Sequence, residues 1–375
     1  MRILHTSDWH IGRTFHGHST LPALREVLEA LTATVAERRI DVVAIAGDVF
    51  DSATPSGESF DVLTATLGGL RDAGARVVMT SGNHDSASRL GFQAAFAAAA
   101  GIHVRTRVEQ HDVPVEIDGV DFYGIPYLEP SLIRHRYPGE TLRTQADAVS
   151  FAMRGIRDAL RGPSVVLSHC FAAGVEASDV EREIRAGGLD VVPLSAFDGP
   201  DYVALGHIHG RSMLSPRVRY SGAPLHYSFA EAAKPRGGWL VDLDAGAEAT
   251  EWIDLPVPRA LSVITGTLDE LLTDDRFDAQ RDDWVSAILT DTSRPIDAMR
   301  KLQTRFPWCA TLDHRPAETS GDGASNYAER VKAKSDPEII AGFLEHVRGG
   351  DGPTPEEERL IADVIGEHAG DEAAA

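Results

Sequence analysis

Five short segments of this chain end in residues able to ligate metal ions. They are Asp8-Trp9-His10, Gly47-Asp48, Gly82-Asn83-His84-Asp85, Ser168-His169 and Gly206-His207-Ile208-His209. Four directly follow apolar runs that read as strands, and Asp8-Trp9-His10 sits just past Met1-Arg2-Ile3-Leu4-His5. The pattern predicts polar groups gathered at strand C-termini, where open α/β sheets place their ligand sites. The chemistry such a set suits is metal-assisted attack on a phosphate ester.

That reaction sets definite demands. A phosphodiester is anionic and repels hydroxide. Two divalent ions about 3.5–4 Å apart neutralise the phosphate and lower the pKa of an attacking water. Asp48, after a buried strand, fits the carboxylate shared between two ions. Asp8 and His10 lie at i, i+2 on one side of an extended segment, so they can chelate together. His207 and His209 repeat that spacing. Asn83 offers a neutral oxygen and His169 a nitrogen. Imidazole mixed with carboxylate favours manganese, iron or zinc over all-oxygen magnesium or calcium sites, and the absence of thiolate ligands points to manganese. His84 directly follows a ligand and is better placed to give a proton to the leaving oxygen. Asp85 is read as orienting that imidazole. Each segment alone is weak, because a Gly-Asp after a strand is usually only a turn. Their order and shared position at strand ends make the pattern specific.

The elements that must position these groups follow from periodicity. Leu21, Leu24, Val27, Leu28, Leu31 and Val35 predict an amphipathic helix near 20–38, and Phe60, Leu63, Leu67 and Leu70 a second. Ile40 to Ala46 and Ala75 to Thr80 read as buried strands. From 112 the strands shorten and pair, with Val113–Val120 and Asp121–Tyr127 turning at Asp118-Gly119, and a helix falls near 144–161. Tyr220-Ser221, 237–243 and 250–255 are expected to close a second sheet. The fold class is therefore α/β, with two packed β-sheets flanked by helices over 1–255. Pro256-Val257-Pro258 marks a linker. Residues 256–315 read as a small α+β capping domain, 316–335 as a flexible linker, and 336–370 as C-terminal helices starting at Asp336 and at Thr354-Pro355.

Composition narrows the class. The chain has 375 residues, 43% of them hydrophobic, and a formal charge of −21. That sign counts against an autonomous tight binder of nucleic acid, though not against an enzyme whose metals and partner supply positive charge. The two cysteines, Cys170 and Cys309, make neither a disulfide framework nor a thiolate metal site. No signal peptide is evident, and no stretch approaches the roughly 18 apolar residues of a membrane span. The expectation is a soluble cytoplasmic protein. His5, inside a strand, reads as structural. Arg13 reads as surface charge, Asp51 as a ligand's partner or a helix cap, and His226 and Tyr227 as candidate groove residues.

Together the five segments resemble the calcineurin-like metallophosphoesterase superfamily, over roughly residues 1–255. The start Met1–Arg13, Ala46–Asp51, Tyr220-Ser221-Gly222-Ala223-Pro224 and Phe229-Ala230-Glu231 to Lys234 before Gly237-Gly238 are more similar to the SbcD nuclease subunit family. This resemblance implies one manganese held by Asp8, His10, Asp48 and His209, and a second held by Asp48, Asn83, His169 and His207, with His84 as the catalytic acid. It implies exonuclease and endonuclease action on DNA ends and hairpins, a homodimer, and an SbcC-type ABC/SMC-like ATPase partner docked by the tail helices. The acidic tail and the Gly/Ala-containing connection depart from the family pattern. The runner-up is a stand-alone phosphoesterase acting on a small nucleotide or phosphoprotein, which would need neither the extra domain nor the tail. A scaffold with a dead site is the third reading, and the complete ligand set argues against it.

Overall fold

The run Val42-Val43-Ala44-Ile45-Ala46 is buried on both faces, and alternation along it shows what lies on each side. Val43 and Ile45 join a core with the helices Leu21–Arg38 and Gly57–Asp72. Val42, Ala44 and Ala46 join a second core made with another sheet. Such period-2 partition is what a strand in a middle layer requires. The computed structural model describes residues 1–172, 191–246, 249–316, 335–348 and 350–372. It divides into two units, Met1–Ala260 and Leu261–Ala375.

In the first unit the strands, numbered along the chain, are β1 (Arg2–Thr6), β2 (Thr14–Phe15), β3 (His18–Ser19), β4 (Val42–Ala46), β5 (Arg76–Thr80), β6 (Ile102–Arg105), β7 (Val115–Ile117), β8 (Val120–Ile125), β9 (Ser164–His169), β10 (Tyr202–Gly206), β11 (Ser212–Met213), β12 (Val218–Tyr220), β13 (Gly237–Asp242) and β14 (Thr250–Asp254). One sheet runs β14-β13-β1-β4-β5-β6, with β1, β4, β5 and β6 parallel. The other runs β11-β12-β10-β9-β8-β7, with β8, β9, β10 and β12 parallel. β2 and β3 form a small ribbon. The helix Gln145–Ala159, started by a Thr144–Asp147 capping box, packs Ala148, Ala152, Met153 and Ile156 on the outer face of the second sheet. The layers are helix, sheet, sheet, helix. Asp118 (φ 48°) and Gly119 (φ 83°) make the tight turn between β7 and β8, which needs positive φ at both positions.

One expectation is corrected. β13 and β14 do not extend the second sheet. They add to the first, β13 antiparallel to β1 with Trp239 opposite His5, and β14 antiparallel to β13 at the edge. The apolar pattern of a strand specifies its faces, not its neighbour. Here glycine decides: a Cβ at Gly237 would sit 2.0 Å from the Ile253 carbonyl oxygen, and one at Gly238 2.9 Å from that of His5.

The two sheets meet through small residues. A Cβ at Gly206, the last residue of β10, would lie 1.9 Å from the Ala46 carbonyl oxygen at the end of β4. Buried His5 ties the same layers, with Nδ1 3.0 Å from the Tyr202 hydroxyl and Nε2 3.1 Å from the Leu205 carbonyl.

The second unit carries β15 (Leu261–Gly266), β16 (Trp284–Leu289) and β17 (Cys309–His314), all parallel. Helices Leu268–Thr273 and Ala298–Arg305 sit in the connections, and Ile264, Leu271, Val285, Leu289, Leu302 and Phe306 form its core. The tail forms helices Asp336–Val347 and Pro355–Glu372, joined by a bidentate Arg348–Glu357 pair at 2.8 Å. Thr354 caps the second helix at its Glu357 N–H. The expected linker 316–335 falls, from 317 to 334, outside the described residues. No helix among the described residues is long and apolar enough to cross a membrane.

The Gly206 contact generates a test. Gly206→Ala should destabilise the protein by at least about 1–3 kcal/mol, the usual cost of overpacking a tight interior. Gly139→Ala, where an added Cβ meets nothing, should stay within about 0.5 kcal/mol of the parent. Urea unfolding of both variants reads the difference, and equal midpoints would contradict the close packing.

Candidate metal centre

All five segments end at one place. β1, β4 and β5 deliver Asp8, Asp48 and Asn83-His84 from the first sheet, and β9 and β10 deliver His169 and His207–His209 from the second. The loops after β1 and β4 run side by side, with Asp8 N–H donating to the Gly47 carbonyl and His10 N–H to that of Asp48, both at 3.0 Å. Asp8 (φ 54°), His10 (φ 45°), Asp48 (φ 47°) and His207 (φ 104°) all take left-handed backbone. Side chains rarely adopt it without a reason, and it concentrates at functional sites. A Cβ at Gly47 would lie 2.4 Å from His169 Nδ1, and one at Gly82 2.1 Å from Asp48 Oδ1. Glycine therefore lets these polar groups crowd together.

Within the cluster, nitrogen and oxygen atoms face inward. Asn83 Oδ1 lies 3.1 Å from both His169 Nε2 and His207 Nδ1. Asp48 Oδ2 lies 3.3 Å from His169 Nε2 and 3.7 Å from His10 Nε2. His10 Nε2 and His209 Nε2 are 3.1 Å apart. The far nitrogens are engaged elsewhere: His169 Nδ1 donates to the Ala46 carbonyl at 2.9 Å, and His209 Nδ1 to Glu231 Oε1 at 3.1 Å. His10 Nδ1 lies 3.1 Å from Asp51 Oδ1, off the line of a good hydrogen bond. A neutral imidazole protonated at Nδ1 presents a lone pair at Nε2. Lone pairs of His10 and His209 facing each other, beside carboxylate oxygens, repel unless a proton or cation lies between them. Asp8, His10 and His209 hold donor atoms mutually within 4.8 Å, as do Asp8, Asp48 and His169, and likewise His10, Asp48 and His84. This all-nitrogen-and-oxygen set fits a divalent metal site.

Electrostatics follow the crowding. Burial pushes the Asp8 carboxyl up to about 6, opposed by the imidazoles of His169 and His209. Burial would also raise Asp48, but the His169, His10 and His84 imidazoles outweigh it and hold that carboxyl well below the usual range. Burial would lower His169, yet the Asp48 charge raises it to about 9. Burial lowers His10 to about 4 and His207 to about 3.

The structure thus gathers Asp8, His10, Asp48, Asn83, His84, His169, His207 and His209. His84 sits at the rim, 38% exposed at its side chain, with Nδ1 donating to the Asp51 carbonyl at 2.9 Å and its backbone N–H donating to Asp48 Oδ1. Asp85 does not orient the His84 ring. Its carboxylate accepts from the N–H groups of Gly82, Val49 and Phe50 and so locks the β4 and β5 loops together. Asp51 pairs with Arg13 at 3.0 Å as well as facing His10. His226 points away, to the Lys234 carbonyl, while the Tyr227 ring packs 5.3 Å from that of His10 and its hydroxyl donates to the Trp9 carbonyl. Glu231 has no signal of its own in the sequence. It lies in the family-like stretch Phe229–Lys234, but nothing there gives it a role, and no spacing relates it to His209.

Residues 1–211 match the family described as calcineurin-like phosphoesterase. Residues 257–348 match SbcD_C, described as the type 5 capsule protein repressor C-terminal domain. Among solved structures, TT1561 of Thermus thermophilus is similar at 16% identity and a TM-score of 0.41, over 68% of this chain and 98% of that one. A dimetal phosphatase from Danio rerio is similar at 12% identity and a TM-score of 0.41, over 68% and 99%.

Because the Asp48 charge holds His169 near 9, its imidazole takes a second proton, on Nε2, at neutral pH when no cation is present. A cation entering the cluster must displace that proton. Divalent-metal affinity should therefore rise with pH through about 9, and binding at pH 7 should release protons. Calorimetry in buffers of different ionisation enthalpy counts them; zero release at pH 7 would contradict the assignment.

Proposed function

The chain belongs to the calcineurin-like phosphoesterase family, and we propose that it is the nuclease subunit of an SbcCD-type DNA repair and recombination complex. The observation that carries this reading is the convergence of the five strand-end segments in a chain that also bears an SbcD-type C-terminal domain. A stand-alone phosphoesterase needs only the first. In the proposal Asp8, His10, Asp48 and His209 hold one manganese ion, and Asp48, Asn83, His169 and His207 hold the other. Bound there, the ions would neutralise the phosphodiester and supply the nucleophile at neutral pH. Asp48, buried between His10 and His169, is the shared ligand. His84 has its Nδ1 committed to the Asp51 carbonyl, which leaves Nε2 as the atom that gives a proton to the leaving oxygen.

The partners in this reading are DNA ends and hairpins, a second copy of the chain, and an SbcC-type ABC/SMC-like ATPase. Phe92 and Phe96, 74% and 79% exposed just beyond the His84 loop, give a second copy apolar surface to cover. The 256–315 segment is, in this reading, the accessory domain that contacts DNA. The tail helices keep Phe343, Val347, Leu360 and Val364 exposed, and these are the side chains we assign to the ATPase.

Three experiments test the proposal. The purified chain should cleave DNA ends and hairpins with manganese. His84→Ala should keep its bound metal yet cleave about 10²–10⁴-fold more slowly. The loss should shrink on a nitrophenyl phosphodiester, whose leaving group needs no proton; an equal loss on both substrates would sink the proton-donor role. In the full-length chain, Phe343→Asp with Leu360→Asp should leave manganese-dependent cleavage of simple DNA intact. Each lost apolar contact is worth about 1.5–3 kcal/mol, so affinity for the ATPase should fall at least roughly tenfold. Co-purification at undiminished affinity would remove the tail from the interface.

A further inference from the structure

Glu231 is a carboxylate in the interior, 1% exposed, outside the set of residues that face the cluster centre. Burying a charge is costly, and a buried ion pair is weak evidence for stability. Its contacts explain its presence better. Oε1 takes the Nδ1–H of His209 at 3.1 Å. Oε2 accepts from the Tyr227 N–H and pairs with Arg236, both at 3.2 Å. Arg236, itself buried, sends Nη1 to the carbonyls of His209 at 2.7 Å, Ala223 at 3.2 Å and Leu225 at 3.3 Å. The ion pair therefore grips one residue from both ends, its imidazole through Glu231 and its backbone through Arg236.

Resting on the two-cation reading above, we infer that Glu231 is a positioning residue for His209. It fixes the Nδ1–H tautomer and aims the Nε2 lone pair at the cation shared with Asp8 and His10. Carboxylates that accept from the far nitrogen of a metal-bound imidazole also raise its basicity, and their loss typically weakens metal affinity about 10–100-fold. The other side of the cluster is built differently. His169 uses the backbone carbonyl of Ala46, and His207 turns its Nδ1 to Asn83. Neither touches Glu231, so the two cation positions should respond unequally to its removal. That inequality separates positioning from a general structural role.

The experiment is calorimetric titration of manganese alone into the metal-free, full-length protein. The parent should take up two ions. Glu231→Gln should bind one of them about 10–100-fold more weakly and the other unchanged. Its circular dichroism and melting temperature without metal should match the parent. If the unpaired Arg236 unfolds that variant, the double change Glu231→Gln with Arg236→Met removes both charges and carries the same expectation. Unchanged affinity for both ions, or equal weakening of both, would overturn the positioning role while leaving the two-cation reading standing. A parent that binds no second ion would instead overturn that reading, and this inference with it.

Discussion

The closeness of β4 to β10 governs everything else in the first unit. Ala46 and Gly206 bring two strand ends from different sheets so near that the interface tolerates no Cβ at Gly206. The same Ala46 carbonyl accepts from His169 Nδ1, so the strand that ends in Gly47-Asp48 also fixes a histidine of the opposite sheet. Separate the sheets by one methyl group, and Asp48 loses His169 while Asn83 loses both of its imidazole neighbours. The small inward residues Ala44, Ala46 and Ala204 are thus there to set a distance. Large side chains at those positions would bury more apolar surface and destroy the site.

Set against that packing is the cost of what it encloses. Asp8, His10, Asp48 and His169 are buried, and three of them bend through left-handed backbone. Neither feature helps a metal-free chain to fold. Backbone hydrogen bonds hold the strained loops: those of β1 and β4 pair with each other, and Asp85 fastens the β4 loop to the β5 loop through three amides. Burial raises the Asp85 carboxyl to about 6, with the Asp48 charge adding to the effect. A carboxylate spent on backbone amides beside another carboxylate is a stiffening device, and it fixes Asp48 without entering its contacts.

What the sequence makes legible divides along physical lines. Strand faces and helix faces follow from periodicity, because burial alternates with geometry, and the buried residues of Leu21–Arg38 fall where the spacing places them. The cluster is legible for a related reason: parallel strands in a layered sheet end on one side, so polar residues at their ends converge without further information. Three things are not legible. The return of β13 to pair with β1 depends on glycines that permit a close approach, not on apolar pattern. Asp85 stands next to His84 in sequence, but in the bend after β5 its carboxylate turns to the amides of Gly82, Val49 and Phe50. Glu231 reaches His209 across 22 residues of chain, beside an Arg236 that bonds the carbonyls of His209, Ala223 and Leu225, and no spacing in the sequence announces that contact.

Charge is the remaining constraint, and it bears on how the proposed substrate would be met. At −21 the chain repels a polyanion, and basic residues near the cluster are partly committed, Arg13 to Asp51 and Arg236 to Glu231. Affinity for DNA in most binding proteins comes from cations that release counterions from phosphates, and it falls steeply with salt. A chain that neutralises few phosphates itself should show a shallow salt dependence and weak retention of DNA. On the proposed reading, the positive charge at the scissile phosphate comes from the metal ions, and that along the duplex comes from the partner. Chemistry and substrate capture then reside on different molecules. On that reading, efficient cleavage of long DNA would gain from assembly, while cleavage of a small phosphodiester, which needs only the metal cluster, would not.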